Sequence, residues 1–195
     1  MSIQFEKVKK DVLPPESELL YKEVQKFTQW WLWLIIGGAV LFQIVVIGNA
    51  IVTQLIFGQP WGDKPMSDVG LIFFVLWVTF VFSFVIALFL VLRLETCVYL
   101  DGIYIRYFPF HYKYRKISWD KLDEIVGKKY HPVIEYGGWG IRWNFRSWAY
   151  TVSGNTCVEL RKGKYKIVIG TKKLDEILPA LDKAQNLYMA QSYMS

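Results

Sequence analysis

Apolar positions along the chain fall into two regimes. From Trp30 to Phe57 and from Val69 to Leu92 they run almost unbroken, and neither stretch contains a Lys, Arg, Asp or Glu. A helix needs about 20 such residues to cross a ~30 Å hydrocarbon core. One charge at its centre costs about 3 kcal/mol on insertion, whereas a surface helix of a soluble protein keeps a polar face. The pattern therefore predicts membrane helices over 30–57 and 69–93, joined by a short turn over 58–68 that Gly58, Pro60, Gly62 and Pro65 break. Trp30, Trp31 and Trp33 stand where amphipathic rings favour the headgroup level, and Arg93, which closes the second run, can snorkel to the interface. The first run is too long for the core of a signal peptide, lacks a small-residue cleavage site and follows a largely polar segment.

Outside these runs the periods differ. In residues 1–29, Leu19, Leu20, Val24 and Phe27 gather on one side of a helix expected over Glu16 to Gln29, read as a cytoplasmic extension of the first membrane helix or a helix lying on the bilayer. Pro14-Pro15 breaks the chain before it, and Ile3, Phe5 and Val8 suit a short extended segment. From Leu94 the period becomes two. Thr96–Leu100 and Ile103–Phe108 flank Asp101-Gly102, the signature of a two-residue turn. Further β-like stretches are Tyr114–Trp119, Asp123–Tyr130, Trp139–Asn144 and Trp148–Val152. A second hairpin, Thr156–Arg161 and Lys164–Ile169, turns at Lys162-Gly163. Leu174, Ile177, Leu178, Leu181, Ala184, Leu187 and Tyr188 then recur at helical spacing, predicting an amphipathic helix from Lys173 to about Met189 with Pro179 inside it.

About seven strands and one closing helix suit a small sheet that curls to manage its edges. The expected fold class is a membrane α-helical hairpin plus an α+β domain, 94–195, built as an antiparallel β-barrel plugged by its C-terminal helix. Here the chain resembles the bacterial PH-domain membrane proteins, in which two membrane helices precede a PH-like domain. The likeness lies in Val98-Tyr99-Leu100-Asp101-Gly102-Ile103, in the stretch Lys116 to Ile125, and in the ending Lys166 to Ile177. It implies a PH-like domain and no catalytic signature. Phosphoinositide-binding PH domains use a basic loop between the first two strands, and here that loop is only Asp101-Gly102.

Candidate chemistry is sparse. His111 lies in an aromatic and basic segment without a nearby carboxylate or thiol; His131 and Glu135 are four apart, but Pro132 and the surrounding β pattern argue against a helix that would bring them together. Ser118, Ser147 and Ser153 lack a nucleophile-elbow context. Gly170-Thr171-Lys172 reads as a strand-to-helix turn with Thr171 near the N-cap. Cys97 and Cys157 are expected as buried free thiols. No catalytic residue, metal site, cofactor or small-molecule substrate is expected. Three groups of residues remain as candidate contacts. Trp30, Trp31, Trp33, Arg93, Phe108, Phe110, Lys113, Arg115 and Lys116 form a candidate membrane interface. The glycine-rich aromatic segment offers Trp139, Arg142, Trp143 and Arg146 to a partner. Gln43, Asn49 and Gln54 are polar within the first apolar run and are candidates for helix–helix contact.

Charge sets orientation and partners. The turn holds only Lys64 among basic residues, whereas Lys7, Lys9, Lys10, Lys22 and Lys26 precede the first run and Arg93 and Arg106 follow the second. The positive-inside rule then places both termini in the cytoplasm and the turn outside, at a cytoplasmic (inner) membrane. From Leu94 onward, sixteen Lys plus Arg face ten Asp plus Glu, a balance that favours an anionic lipid surface, where each basic residue is worth ~1 kcal/mol. Membrane tethering accounts for this charge without nucleic acid. The expected function is a non-enzymatic scaffold or accessory subunit, in a homo-oligomer or larger membrane complex, that docks a protein partner. The alternative is a surface sensor that binds anionic lipid through a basic aromatic face.

Overall fold

The computed structural model describes residues 5–145 and 147–194. The chain forms two units: Thr28–Leu90, and the segments up to Phe27 and from Val91 onward taken together.

The first unit is the helical hairpin. Helix α1 (Trp30–Ala50) continues as a π-helical turn, Ile51–Ile56, and α2 covers Asp68–Val91. Both are long and apolar enough to cross a membrane, and large side chains such as Phe42, Phe73, Trp77 and Phe80 stand exposed along them. In the π turn the Phe57 N–H reaches the Val52 carbonyl at 3.0 Å. The widened turn lies next to the segment that Gln54 fastens: its Nε2 donates to the Met66 carbonyl at 2.7 Å and to Asp68 Oδ1 at 2.8 Å. Ser67 Oγ accepts the Gly70 N–H and starts α2.

The second unit contains two five-stranded sheets. In the first, β1 (Glu6–Val8), β2 (Leu19–Lys26), β3 (Arg93–Tyr99), β4 (Gly102–Phe108) and β5 (Tyr114–Ile117) lie in the order β1-β5-β4-β3-β2, all antiparallel. The outer strands thus come from the chain before the helical hairpin and the inner three from the chain after it. Strands β2 and β3 pair down to Lys26↔Arg93, so the hairpin is inserted between two neighbouring strands of one sheet. The second sheet contains β6 (Glu124–Lys129), β7 (Gly140–Asn144), β8 (Ser147–Thr151), β9 (Thr156–Lys162) and β10 (Tyr165–Gly170) in the order β6-β9-β10-β8-β7, with β8 and β10 parallel. A short helix α3 (Pro132–Tyr136) precedes β7, and α4 (Leu174–Met194) closes the unit.

Alternation decides which sides meet. Leu94, Thr96 and Val98 of β3 and Ile103, Ile105 and Tyr107 of β4 share one face, all buried. This face meets the second sheet: Tyr107 Oη donates to the Thr151 carbonyl at 3.2 Å and Gln25 Nε2 to the Gly170 carbonyl at 2.6 Å. On the far face of the first sheet, Cys97, Tyr99, Tyr104 and Tyr114 pack under Val8, Leu13 and Leu19, so the link between β1 and β2 covers them. Helix α4 packs against β2, β3 and β9 through buried Ile177, Leu181 and Ala184. Gly127 lets it come close, because a Cβ there would stand 2.6 Å from Leu178 Cδ1.

Several expectations are corrected. The domain is not a single closed barrel of about seven strands capped by a helix; it is two open sheets of five strands each, one of them mixed. Two of the ten strands come from the N-terminal segment, which the pattern after Leu94 does not contain. The expected helix over Glu16 to Gln29 is a 3-10 turn followed by β2. Its buried side is polar: Tyr21, Glu23 and Gln25 point inward while Val24 is exposed. Glu23 accepts the hydroxyls of Tyr21 (2.8 Å) and Thr171 (2.7 Å) and the backbone N–H of Lys172 (3.0 Å), so its cost of burial is offset by partners far along the chain. A short helix does form at Pro132, whose missing N–H is harmless in a first turn. The Glu135 carboxylate there accepts the His131 backbone N–H, not its imidazole. The first hairpin turns at Leu100-Asp101, one residue early, with Gly102 opposite Tyr99. Ile3 lies outside the described residues.

Candidate functional site

Strand β5 ends a run of aromatic and basic residues, and its pairing with β1 places Lys7 directly opposite Arg115. Like charges facing one another across a ladder destabilise it. Here they line a cleft of about 370 Å³ together with Phe110, His111, Tyr112 and Lys113, and no carboxylate is among the described lining residues.

Arg115 is held in place before any ligand arrives. Its Nη1 donates to Tyr150 Oη at 2.7 Å, and its guanidinium lies 5.1 Å from the Phe5 ring centre and 5.9 Å from that of Tyr150. Burial keeps the Tyr150 hydroxyl protonated, raising it against the opposing pull of Arg115. The segment that follows β4 turns back so that the His111 N–H bonds the Tyr107 carbonyl at 2.8 Å. This sets the imidazole 5.9 Å from the Tyr150 ring, beside Arg115. Burial first, and then the charges of Arg115 and Lys7, push His111 down to about 4. The imidazole is therefore neutral at pH 7, and the cleft's charge comes from Lys7, Lys113 and Arg115. A fixed guanidinium and two exposed ammonium groups around an aromatic wall have the charge and the donors to pair with an anion.

The other ionic clusters are closed structural units. Glu95 is buried beneath Arg93 (2.8 Å) and Arg106 (2.6 Å) and accepts the Tyr114 hydroxyl. Burial pushes its carboxyl up, and Tyr114, Arg106 and Arg93 together outweigh that and hold it below its ordinary value. Glu159 receives Arg161 (2.6 Å), Lys128 (2.7 Å) and Lys166 (3.4 Å) and is held at about 2 despite its burial. Cys97 and Cys157 are buried free thiols, raised by burial to about 11 and about 12. No group of three His, Cys, Asp or Glu able to hold a metal occurs among the described residues.

The candidates read from sequence scatter. Phe110, Lys113 and Arg115 line the cleft. Arg93 lies over the Phe108 ring at 5.1 Å in the Glu95 cluster, and Lys116 pairs with Asp101 at 2.7 Å on the face opposite Arg115. Trp30, Trp31 and Trp33 occupy the first turn of α1. Trp139 Nε1 donates to the Gly154 carbonyl, while Arg142 and Trp143 stand exposed on the edge strand β7; Arg146 lies outside the described residues. Gln43 faces a groove between α1 and α2, whereas Asn49 accepts Trp61 Nε1–H at 3.0 Å and Gln54 holds the start of α2. Sequence reasoning missed Lys7, because only the β1–β5 pairing brings it to Arg115. It also missed Phe145, 83% exposed at the β7–β8 turn and 5.5 Å from the Trp143 ring.

Residues 12–185 match a family described as a family of unknown function (DUF6141), and the chain belongs to it. No curated protein and no solved structure matches the chain.

Proposed function

We propose that this member of the DUF6141 family is a non-enzymatic integral membrane protein whose extramembrane unit docks on an anionic lipid surface through the Lys7–Lys113–Arg115 cleft. The observation that carries this reading is the Lys7↔Arg115 pair, two cations in direct register with no carboxylate among the described lining residues to balance them. An anion that enters supplies the missing countercharge. Two further features support a membrane setting. The exposed apolar faces of α1 and α2 need hydrocarbon to cover them. The Lys26↔Arg93 pairing requires the hairpin to leave and return at one place, which suits two crossings with both termini on one side, the cytoplasmic side by the positive-inside rule.

The test is amine-reactive labelling of Lys7 and Lys113 on the full-length protein in nanodiscs of neutral phosphatidylcholine and of phosphatidylcholine mixed with phosphatidylglycerol. Protection in the anionic discs that salt reverses is expected; equal labelling in both removes the lipid reading. Thiol labelling of a cysteine placed in the turn, expected in intact cells without permeabilisation, tests orientation.

A second reading, a scaffold or accessory subunit that docks a protein, rests on the edge strand β7, where Trp143 stands 59% exposed, and on Phe145 in the turn that follows it. Co-purification of the tagged full-length chain from native membranes tests it. Foreign subunits lost on Trp143→Ser are expected, and none recovered excludes it.

A further inference from the structure

The polar side chains of the helical hairpin differ in how they are satisfied. Asn49 and Gln54 are bonded to the connecting segment, through Trp61 and through Met66 and Asp68. Thr79 and Ser83 have hydroxyls that can turn back on a carbonyl of their own helix. Gln43 has neither solution. Its amide offers two donors and an acceptor, and it makes no hydrogen bond among the described residues. It also stands midway along the first apolar helix, Trp30–Ile56, about 20 Å from either end at ~1.5 Å per residue. On the membrane reading given above, on which this inference rests, that is the depth where no water reaches an amide.

Gln43 opens into a groove of about 400 Å³ that Gly48, Thr79, Phe82 and Ser83 also line. We propose that this groove seats the hairpin of a second copy of the chain, with the two Gln43 amides hydrogen-bonded to each other across a two-fold axis. The primary amide is self-complementary, each donating an N–H to the other's oxygen. A two-fold axis is the arrangement that brings a residue against its own copy. One Gln in each chain then satisfies both. A foreign helix would have to bring its own polar group to the same depth. The Thr79 hydroxyl, near the middle of α2, is in the same groove to take the second amide N–H, and Gly48 and Ser83 leave room for close approach. The dimer does not depend on the basic cleft, so either can fail alone.

The experiment uses the full-length chain in phosphatidylcholine liposomes, with single-molecule photobleaching read across a range of protein-to-lipid ratios. A monomer–dimer equilibrium is expected. Gln43→Leu, which a lipid-embedded helix tolerates, weakens it about 3- to 20-fold, the range spanned by hydrogen bonds between membrane helices. Asn49→Leu leaves it unchanged, because Asn49 is bonded to Trp61, and Gln43→Cys crosslinks as a dimer under mild oxidation. A monomer at every ratio overturns the inference, as does a dimer that Gln43→Leu does not weaken, or a foreign subunit captured at Gln43 in place of a second copy. Thiol labelling of the Gly58–Asp68 turn separates the two failures: a monomer whose turn still reaches the far side refutes the dimer alone, whereas a turn that never crosses refutes the membrane reading.

Discussion

His111 reports on the electrostatics of the cleft. Burial and the charges of Arg115 and Lys7 bring it from an ordinary 6.5 to about 4. At ~1.4 kcal/mol for each tenfold change in proton affinity, the full gap is worth about 3–4 kcal/mol. The cleft is open and salt screens its lysines, so about 1–2 kcal/mol is the expected contribution. Its folded-state value is depressed, so the unfolded chain binds the proton more tightly. The stability at stake is fully present above pH 6.5 and is lost as pH falls from 6.5 toward 4. The assay is a pH titration of the His111 imidazole by proton–carbon NMR on the full-length protein in micelles, assigned with a His131→Gln variant. Lys7→Gln removes the charge opposite Arg115 and raises the midpoint by roughly half a pH unit, as expected for one screened charge several ångströms away. Burial, the larger cause, remains, so the variant still titrates below 6.5. A headgroup in the cleft raises it further, and the midpoint in anionic nanodiscs lies above that in neutral ones. A wild-type midpoint at 6.5 or above would refute the account of how the cleft is charged.

Other consequences follow for the second unit. Glu159, held at about 2 by Lys128, Arg161 and Lys166, stabilises the fold above its unfolded value near ~4.3 and loses that contribution as pH falls from there toward 2. Glu159→Gln, which leaves Lys128 and Lys166 without this countercharge and Arg161 with Glu124 alone, costs about 1–3 kcal/mol in a urea titration at pH 7 and roughly half as much at pH 3; an equal cost at both would exclude the ionic account. Gly102 has φ +152°, and a Cβ there would lie 2.6 Å from the Ile117 carbonyl oxygen. Gly102→Ala is expected to cost about 1–3 kcal/mol and lower Tm by several degrees, and an unchanged Tm would show that β4 and β5 can separate freely.

What the sequence revealed depended on where each element's partners lie. The two apolar runs announce themselves, since covering them needs no information from elsewhere in the chain. Hairpins β3–β4 and β9–β10 were legible because turn chemistry and alternation are local, and so was α4. Strand β2 was not. Its inward side is Tyr21, Glu23 and Gln25, which read as a solvent face until Thr171, Lys172 and Gly170 supply their hydrogen bonds across more than 140 residues. The expectation of one barrel failed with it, because a sheet missing both outer strands was counted as part of its neighbour. The cleft was half legible. The segment from Phe108 to Lys116 is basic and aromatic in sequence, but Lys7 joins it only through the register of β1 on β5.

That dependence makes one prediction about the whole architecture. Because β2 and β3 pair through Lys26↔Arg93, the helical hairpin occupies the place of a turn. Replacing residues 28–91 by Asn-Gly leaves Phe27 and Leu92 flanking a two-residue loop of the kind that joins antiparallel strands. The shorter connection also costs less closure entropy, by about 0.6 kcal/mol for each halving of length. The shortened chain is expected to be a soluble monomer with cooperative urea unfolding and the dispersed NMR spectrum of a β protein. The complementary variant, lacking everything before Thr28, keeps the residues after Leu94 that look like a complete domain by sequence. It leaves β3 and β5 as bare edges, uncovers Cys97, Tyr99, Tyr104 and Tyr114 where Leu13 and Leu19 packed, and leaves Thr171 without Glu23. It should aggregate or unfold. If the truncated chain folds and the turn-closed chain does not, the N-terminal strands decorate a domain that is complete without them. The hairpin would then precede that domain instead of being inserted in it.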